Sequence, residues 1–221
     1  MTIATAANMQ FAMEAICNEF TQQTGIECQL IVSSSGKLTA QIQAGAPYDL
    51  FVSADMKYPE TLYQKGFAIT TPKTYAKGKL VLWTVLDSLT PDLENLKLPN
   101  IKHIALANPK TAPYGKAALE VLQNNHLDTL QYKYVYGESI AQTNQFVQSK
   151  AAEIGFTAMS VVLSPNAKNK GVWIEIPTTQ YHPIEQGIVL LKKHHVDAQR
   201  FYDFVFSNKA KETLKEYGYD I

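Results

Sequence analysis

The chain has 221 residues, 46% of them hydrophobic, and its 20 basic and 20 acidic residues give a formal net charge of zero. That length suits one large domain or two small α/β lobes. The charge balance excludes an overall field toward nucleic acid or an anionic membrane, and no apolar run reaches the roughly 18 residues of a transmembrane helix.

The start, Met1 to Asn8, lacks the basic and long apolar regions of a signal peptide and reads as a first strand over 3–6. Asn8 then caps a helix predicted over 9–24, with Phe11, Ala15, Ile16 and Phe20 as its apolar stripe and Gly25 as its end. A second strand follows over 27–32, a short helix over 37–44, a third strand over 49–53 and a helix over 59–65 closed by Gly66. Residues 79–83 form a buried strand, and 101–107 another that runs into Asn108 and Pro109. Then come a helix over 115–125, a strand over 132–136, a helix over 139–149 and a strand over 154–158 with a short helical turn. A strand over 173–176, an extended apolar run over 184–192 and a helical region over 198–217 complete the chain. Such alternation predicts an α/β fold with mainly parallel sheets. The stretches 75–79 and 178–183 read as crossovers between lobes, so the chain leaves one lobe and returns to it as a two-lobed clamp.

Four segments put small or donor-rich residues between a strand and a helix: Ala6-Ala7-Asn8, Ser33-Ser34-Ser35-Gly36, Thr111-Ala112-Pro113-Tyr114-Gly115 and Gly137-Glu138-Ser139-Ile140. Each exposes backbone N–H groups at a helix start, where the macrodipole also attracts an anion. Taken singly, each has a plainer reading: Asn8 and Ser139 as N-caps, the triple serine as a loop, Gly115 as a relaxed turn. Four together favour an oxyanion held without covalent chemistry. Lys37 and Lys116 lie inside helices and are expected to face solvent.

Catalytic patterns are weak. There is no Gly-x-Ser-x-Gly elbow, and Lys37 lacks the spacing of a P-loop. His103, His126, His182, His194 and His195 stand in unrelated contexts. The adjacent pair His194-His195 reads as a solvated turn rather than a metal site. Asp49 and Asp55 read as cap and turn residues rather than an acid pair. Phe201, Phe204 and Tyr217 recur at helical spacing as core. Cys17 and Cys28 read as buried small hydrophobes, with a disulfide open to them in an oxidising compartment, and give no metal signal.

The stretch Gln41-Ile-Gln-Ala-Gly-Ala-Pro-Tyr-Asp-Leu-Phe-Val-Ser-Ala-Asp55, preceded by Ser34-Ser35, resembles the signature of the molybdate-binding proteins of bacterial ABC transporters. Ala6-Ala7-Asn8, the stretch from Tyr75 to Trp83, Asn108-Pro109 through Gly115, Gly137-Glu-Ser and Lys215-Glu-Tyr-Gly-Tyr219 extend the resemblance over essentially the whole chain. It implies an α/β type II periplasmic binding protein: two lobes with mixed, mainly parallel sheets joined by a two-strand hinge. Residues 1–78 plus 182–221 would form lobe I and 79–181 lobe II, with the ligand cleft between them. By resemblance, Asn8 and Ser35 hold the oxyanion from the first lobe, with Ala7 added to the set, and backbone N–H groups at Tyr114 and Ile140 hold it from the second. Many members carry Ser in place of Asn8, and a ligand-binding Tyr at the position of Ala158, so this chain has one phenol fewer.

The implied function is to bind molybdate or tungstate and deliver it to the membrane permease of an ABC transporter. The protein would be a periplasmic or extracytoplasmic monomer with no nucleic-acid partner, no catalysis and no cofactor, and the molybdenum would be bound as an oxyanion without direct cation ligands. A receptor for another tetrahedral oxyanion such as sulfate is the alternative in the same class. An enzyme on the same fold would need a nucleophile or acid–base pair that the sequence does not offer. A regulator's sensing module would need a DNA-binding helix-turn-helix, and none is read.

Overall fold

The computed structural model describes residues 1–192 and 196–221; the expectation for His194-His195 therefore lies outside the described residues. The chain divides into two compact units, Met1–Gly78 with Glu185–Ile221, and Lys79–Ile184.

In the first unit the strands are β1 (Thr2–Ala6), β2 (Gln29–Ser33), β3 (Leu50–Val52), β4 (Lys73–Gly78) and, after the excursion into the second unit, β10 (Ile184–Leu190). They form one sheet in the order β2-β1-β3-β10-β4. β1 runs parallel to β2 and to β3, and β10 closes antiparallel on β3. The helices are α1 (Gln10–Thr24), α2 (Ser35–Gln43), α3 (Lys57–Gln64), α7 (Ala198–Val205) and α8 (Asn208–Glu216). Strand side chains alternate between faces. Ile3, Leu50, Val52, Ile188 and Leu190 accordingly join one core with Ile16 and Phe20 of α1, Phe201 of α7 and Leu214 of α8. Ala4, Phe51, Val189 and Leu191 join the other with Leu38 and Ile42 of α2 and Leu62 of α3. Phe20 meets Phe201 edge to face at 5.2 Å, a geometry worth about 0.5–1.5 kcal/mol beyond area burial.

Having β2 and β3 on opposite sides of β1 requires the two crossovers to run in opposite directions. Right-handed connections then place α1 and α2 on opposite faces, and α1 packs in one core and α2 in the other.

The second unit repeats this plan. Its strands are β5 (Leu80–Thr84), β6 (Ile104–Ala107), β7 (Tyr134–Gly137), β8 (Ile154–Ala158) and β9 (Val172–Glu175), in the order β7-β6-β8-β5-β9. β6 is parallel to β7 and β8, and β5 is antiparallel to β8 and β9. Its helices are α4 (Pro113–Asn124), α5 (Ile140–Gln148) and the short α6 (Met159–Val162). The fold is therefore α/β with two mixed sheets.

Two local expectations need correction and a third is refined. Residues 75–78 are not a bare crossover but part of strand β4. The terminal helical region is two helices, because Ser207 starts α8 afresh by accepting the Ala210 N–H at 3.2 Å. Cys28 is half-buried rather than buried. Both cysteines are free, and their thiols are hydrogen-bonded to each other, which pushes Cys17 up and Cys28 down from the usual thiol range.

Gly115 fixes how closely α4 approaches β6: a Cβ there would lie 2.0 Å from the Ala107 carbonyl oxygen. Backbone cannot yield as a side chain can, so Gly115→Ala is expected to lower unfolding free energy by about 1–3 kcal/mol. A urea midpoint equal to wild type would contradict this packing.

Candidate functional site

The register of the first sheet sets Ala6 beside Ser33 and Thr5 beside Val52, so β1, β2 and β3 end level and release their loops side by side. In open α/β sheets this is where ligands bind, at the carboxyl ends of strands where the strand order reverses. Ala7 and Asn8 follow β1 in a 3-10 turn, 5% and 2% exposed. Asn8 does not cap α1, as its position suggested. Met9 occupies the cap position without a side-chain bond. The Asn8 amide turns inward, with Nδ2 donating to Gln186 Oε1 at 2.9 Å and to the Tyr219 hydroxyl at 3.0 Å.

Ser35 opens α2 after the extended Ser34 and is 1% exposed. Its Oγ accepts the Ala54 N–H at 3.0 Å, and its carbonyl accepts from Thr39 Oγ1 at 2.8 Å. A hydroxyl that accepts from a backbone N–H still has its own proton to donate. Beside it, Ser34 Oγ is buried and makes no hydrogen bond among the described residues, a state costing on the order of 1–3 kcal/mol unless an acceptor arrives. The Ser53-Ala54 loop thus touches both halves of this edge: Ala54 holds Ser35, and the Ser53 carbonyl accepts from the Tyr75 hydroxyl, which also reaches Gln186 Oε1, each at 3.4 Å.

In the second unit Ala107 lies beside Gly137, so β6 and β7 also end level. Tyr114 is the second residue of α4, behind Pro113, and is 1% exposed. Ile140 is the first residue of α5, 4% exposed, and Ser139 caps that helix by accepting the Gln142 N–H at 3.4 Å. Thr111 Oγ1, just before α4, is buried and makes no hydrogen bond among the described residues. The first N–H groups of α2, α4 and α5 have no acceptor within their own helices and carry the positive end of the dipole.

Within the first unit, then, Ala7, Asn8 and Ser35 gather at one sheet edge; within the second, Tyr114 and Ile140 gather at the equivalent edge. Ala158, at the end of β8, is fully buried and brings no side-chain donor. Lys116 faces solvent, 72% exposed beside Glu120, whereas Lys37 is half-buried. Asp49 accepts the Thr2 N–H at 2.6 Å and Asp55 accepts from Ser53 Oγ and the Tyr58 N–H, both at 3.2 Å, so both serve the backbone. His103 stands against Glu153 and His182 against Glu120. Among the described residues no cluster of three His, Cys, Asp or Glu could hold a metal ion, and no helix is long and apolar enough to cross a membrane. Sequence reasoning missed Gln186, Tyr219 and Tyr75. The legible signal was a single Gln inside the apolar run 184–192.

The family model described as bacterial extracellular solute-binding protein matches residues 1–220. The molybdate-binding protein ModA of Azotobacter vinelandii is 39% identical, covering 99% of this chain and 89% of its own. ModA of Rhodobacter capsulatus is 37% identical, covering 98% and 86%. The solved structure of the Azotobacter vinelandii periplasmic molybdate-binding protein superposes with a TM-score of 0.95 at 36% identity, over 100% of this chain and 99% of that one.

Burial pushes the Tyr75 phenol well above its ordinary value of 10.0, and the neighbouring Tyr219 adds to the shift. The unfolded chain releases this proton near the ordinary value and the folded chain does not, so stability is complete below it and falls as pH rises beyond it. Unfolding free energy should therefore decline above about pH 10, and Tyr75→Phe should flatten that decline. Equal alkaline slopes in the two proteins would remove Tyr75 as a cause.

Proposed function

We infer the ligand from this premise: the chain belongs to the bacterial extracellular solute-binding protein family, and its ligand is molybdate, with tungstate as a close substitute. The observation that carries the reading is the chemistry of the strand-end segments. Ser35 keeps a proton to donate, Ser34 and Thr111 have buried hydroxyls without partners, and α2, α4 and α5 begin there. Donors of this kind suit an anion that is fully deprotonated. Molybdate and tungstate are tetrahedral dianions that carry no proton at neutral pH. A protonated phosphate brings a hydroxyl that needs an acceptor, and without one the cost is roughly 1–3 kcal/mol.

In this reading Asn8 and Ser35, with Ala7 beside them, supply one group of donors and the Tyr114 and Ile140 backbone the other. The chain catalyses nothing: its relatives are transport binding proteins. The oxyanion is cargo, delivered to the membrane permease of an ABC transporter, and the chain works outside the cytoplasm, in the periplasm.

The test is a thermal-shift series on desalted protein with molybdate, tungstate, sulfate and phosphate. At about 100 times Kd a ligand adds about 2.7 kcal/mol to the native state, or roughly 5–10 °C for a chain of this size. Molybdate and tungstate should give that shift, sulfate and phosphate none. A shift with sulfate alone would replace the ligand. Ser35→Ala should weaken molybdate binding by about 1–3 kcal/mol, read by calorimetry.

A further inference from the structure

The C-terminal stretch Lys215-Glu-Tyr-Gly-Tyr219 has no place in the site as described, yet it ends against it. α8 closes in a two-bond turn: the Gly218 N–H reaches the Lys215 carbonyl at 2.9 Å and the Tyr219 N–H reaches the Leu214 carbonyl at 3.1 Å. This is a Schellman ending. It requires the left-handed backbone that Gly218 adopts at φ 80°, which costs a glycine little. The reversed chain then pairs with β4 through Lys77 and Asp220, with reciprocal bonds of 2.7 and 3.0 Å. Between these two fixtures Tyr219 points inward, 3% exposed.

There it meets Asn8 twice. The Tyr219 hydroxyl accepts from Asn8 Nδ2 at 3.0 Å and donates to the Asn8 carbonyl at 3.0 Å. The other Nδ2 hydrogen goes to Oε1 of Gln186, which is fully buried on β10. An amide nitrogen has two hydrogens, so both are occupied inside the protein. The Asn8 side chain is thus a latch on its own turn, and what Asn8 offers an anion comes through the main chain of that turn. We propose that Gln186 and Tyr219 are positioning residues for the oxyanion site, holding the Ala7-Asn8 turn in its donor-presenting conformation and thereby raising the affinity for molybdate. The proposal rests on the reading that Asn8 belongs to that site.

The experiment measures the molybdate Kd by calorimetry, well below the melting temperature, for wild type, Tyr219→Phe, Asn8→Ala and the double variant. Tyr219→Phe keeps the ring and deletes both bonds, and should raise Kd about five- to tenfold. Added to Asn8→Ala it should raise Kd less than about twofold, because residues acting through one another are not additive. Gln186→Met, close in volume and without the acceptor, is a second route to the same loosening should Tyr219→Phe fold poorly, and should also raise Kd. A lowered melting temperature with unchanged Kd in both Tyr219→Phe and Gln186→Met would overturn the proposal, since a purely structural role predicts that result. So would full additivity in the double variant. Ser35→Ala separates this from failure of the site itself. If Ser35→Ala weakens binding while Tyr219→Phe and Gln186→Met do not, only the positioning role falls. If wild type binds no molybdate, or Ser35→Ala and Asn8→Ala both bind like wild type, the site reading falls and takes the proposal with it.

Discussion

A parallel strand cannot turn back on itself; it must give its chain to a crossover that packs on one face of the sheet. Where two crossovers leave the same region in opposite directions, their helices cover opposite faces and nothing covers the strand ends between them. This constraint operates twice in the chain. In the first unit β1 lies between β2 and β3, and in the second β6 lies between β7 and β8. Every residue of the proposed oxyanion set follows one of the first two strands of such a trio: Ala7 and Asn8 follow β1, Ser35 follows β2, Tyr114 follows β6 and Ile140 follows β7. The proposed site is thus a consequence of topology before it is a matter of side chains.

What topology leaves uncovered, hydrogen bonding must then make rigid. A dianion held by dipoles needs its donors in place beforehand, because donors that must be ordered on binding give up part of the interaction to that ordering. The first unit has a buried chain of polar contacts suited to this. Ser35 is fixed by Ala54, the neighbouring Ser53 carbonyl by Tyr75, Gln186 by both Tyr75 and Asn8, and Asn8 by Tyr219. Two of these residues reach Asn8 from 178 and 211 positions away. The discontinuity of this unit therefore has a structural use: the returning segment brings β10 and the C-terminal turn to the residues that the first strand left exposed.

How much of this was legible in the sequence depends on how local each signal is. Strand-to-helix alternation, the donor-rich segments and the strand over 154–158 are encoded within a few residues, and the α/β fold follows from them. Asn8 was misread as a helix cap because Asn before an apolar helix is a strong cap signal; a buried acceptor 178 residues away outweighs it, and no periodicity reveals that partner. Strand β4 was hidden by its Lys-rich, Gly-containing sequence, as suits a sheet edge that needs charge on its open side. The break at Ser207 was legible in principle, since a Ser at a helix start signals a fresh cap, but the reading went no further than a helical region over 198–217. Gln186 was missed although it is a buried polar residue within a run read as apolar, and nothing local reveals its partners.

The absence of a phenol at Ala158 fits the same logic. In an all-donor site each hydrogen bond to a charged ligand contributes more than a neutral one, so a missing side-chain donor must be offset elsewhere or accepted as weaker binding. In the proposed site, Asn8 and Ser35 belong to the unit that carries the long-range polar chain, and rigid donors can substitute for numerous ones. Rigidity also bears on selectivity. Sulfate carries the same charge as molybdate on shorter bonds, so only geometry can separate them. A loose set of donors would contract around the smaller ion, whereas donors held as proposed for Tyr219 and Gln186 would not follow it inward. As proposed, the latch on Asn8 would serve discrimination as much as affinity.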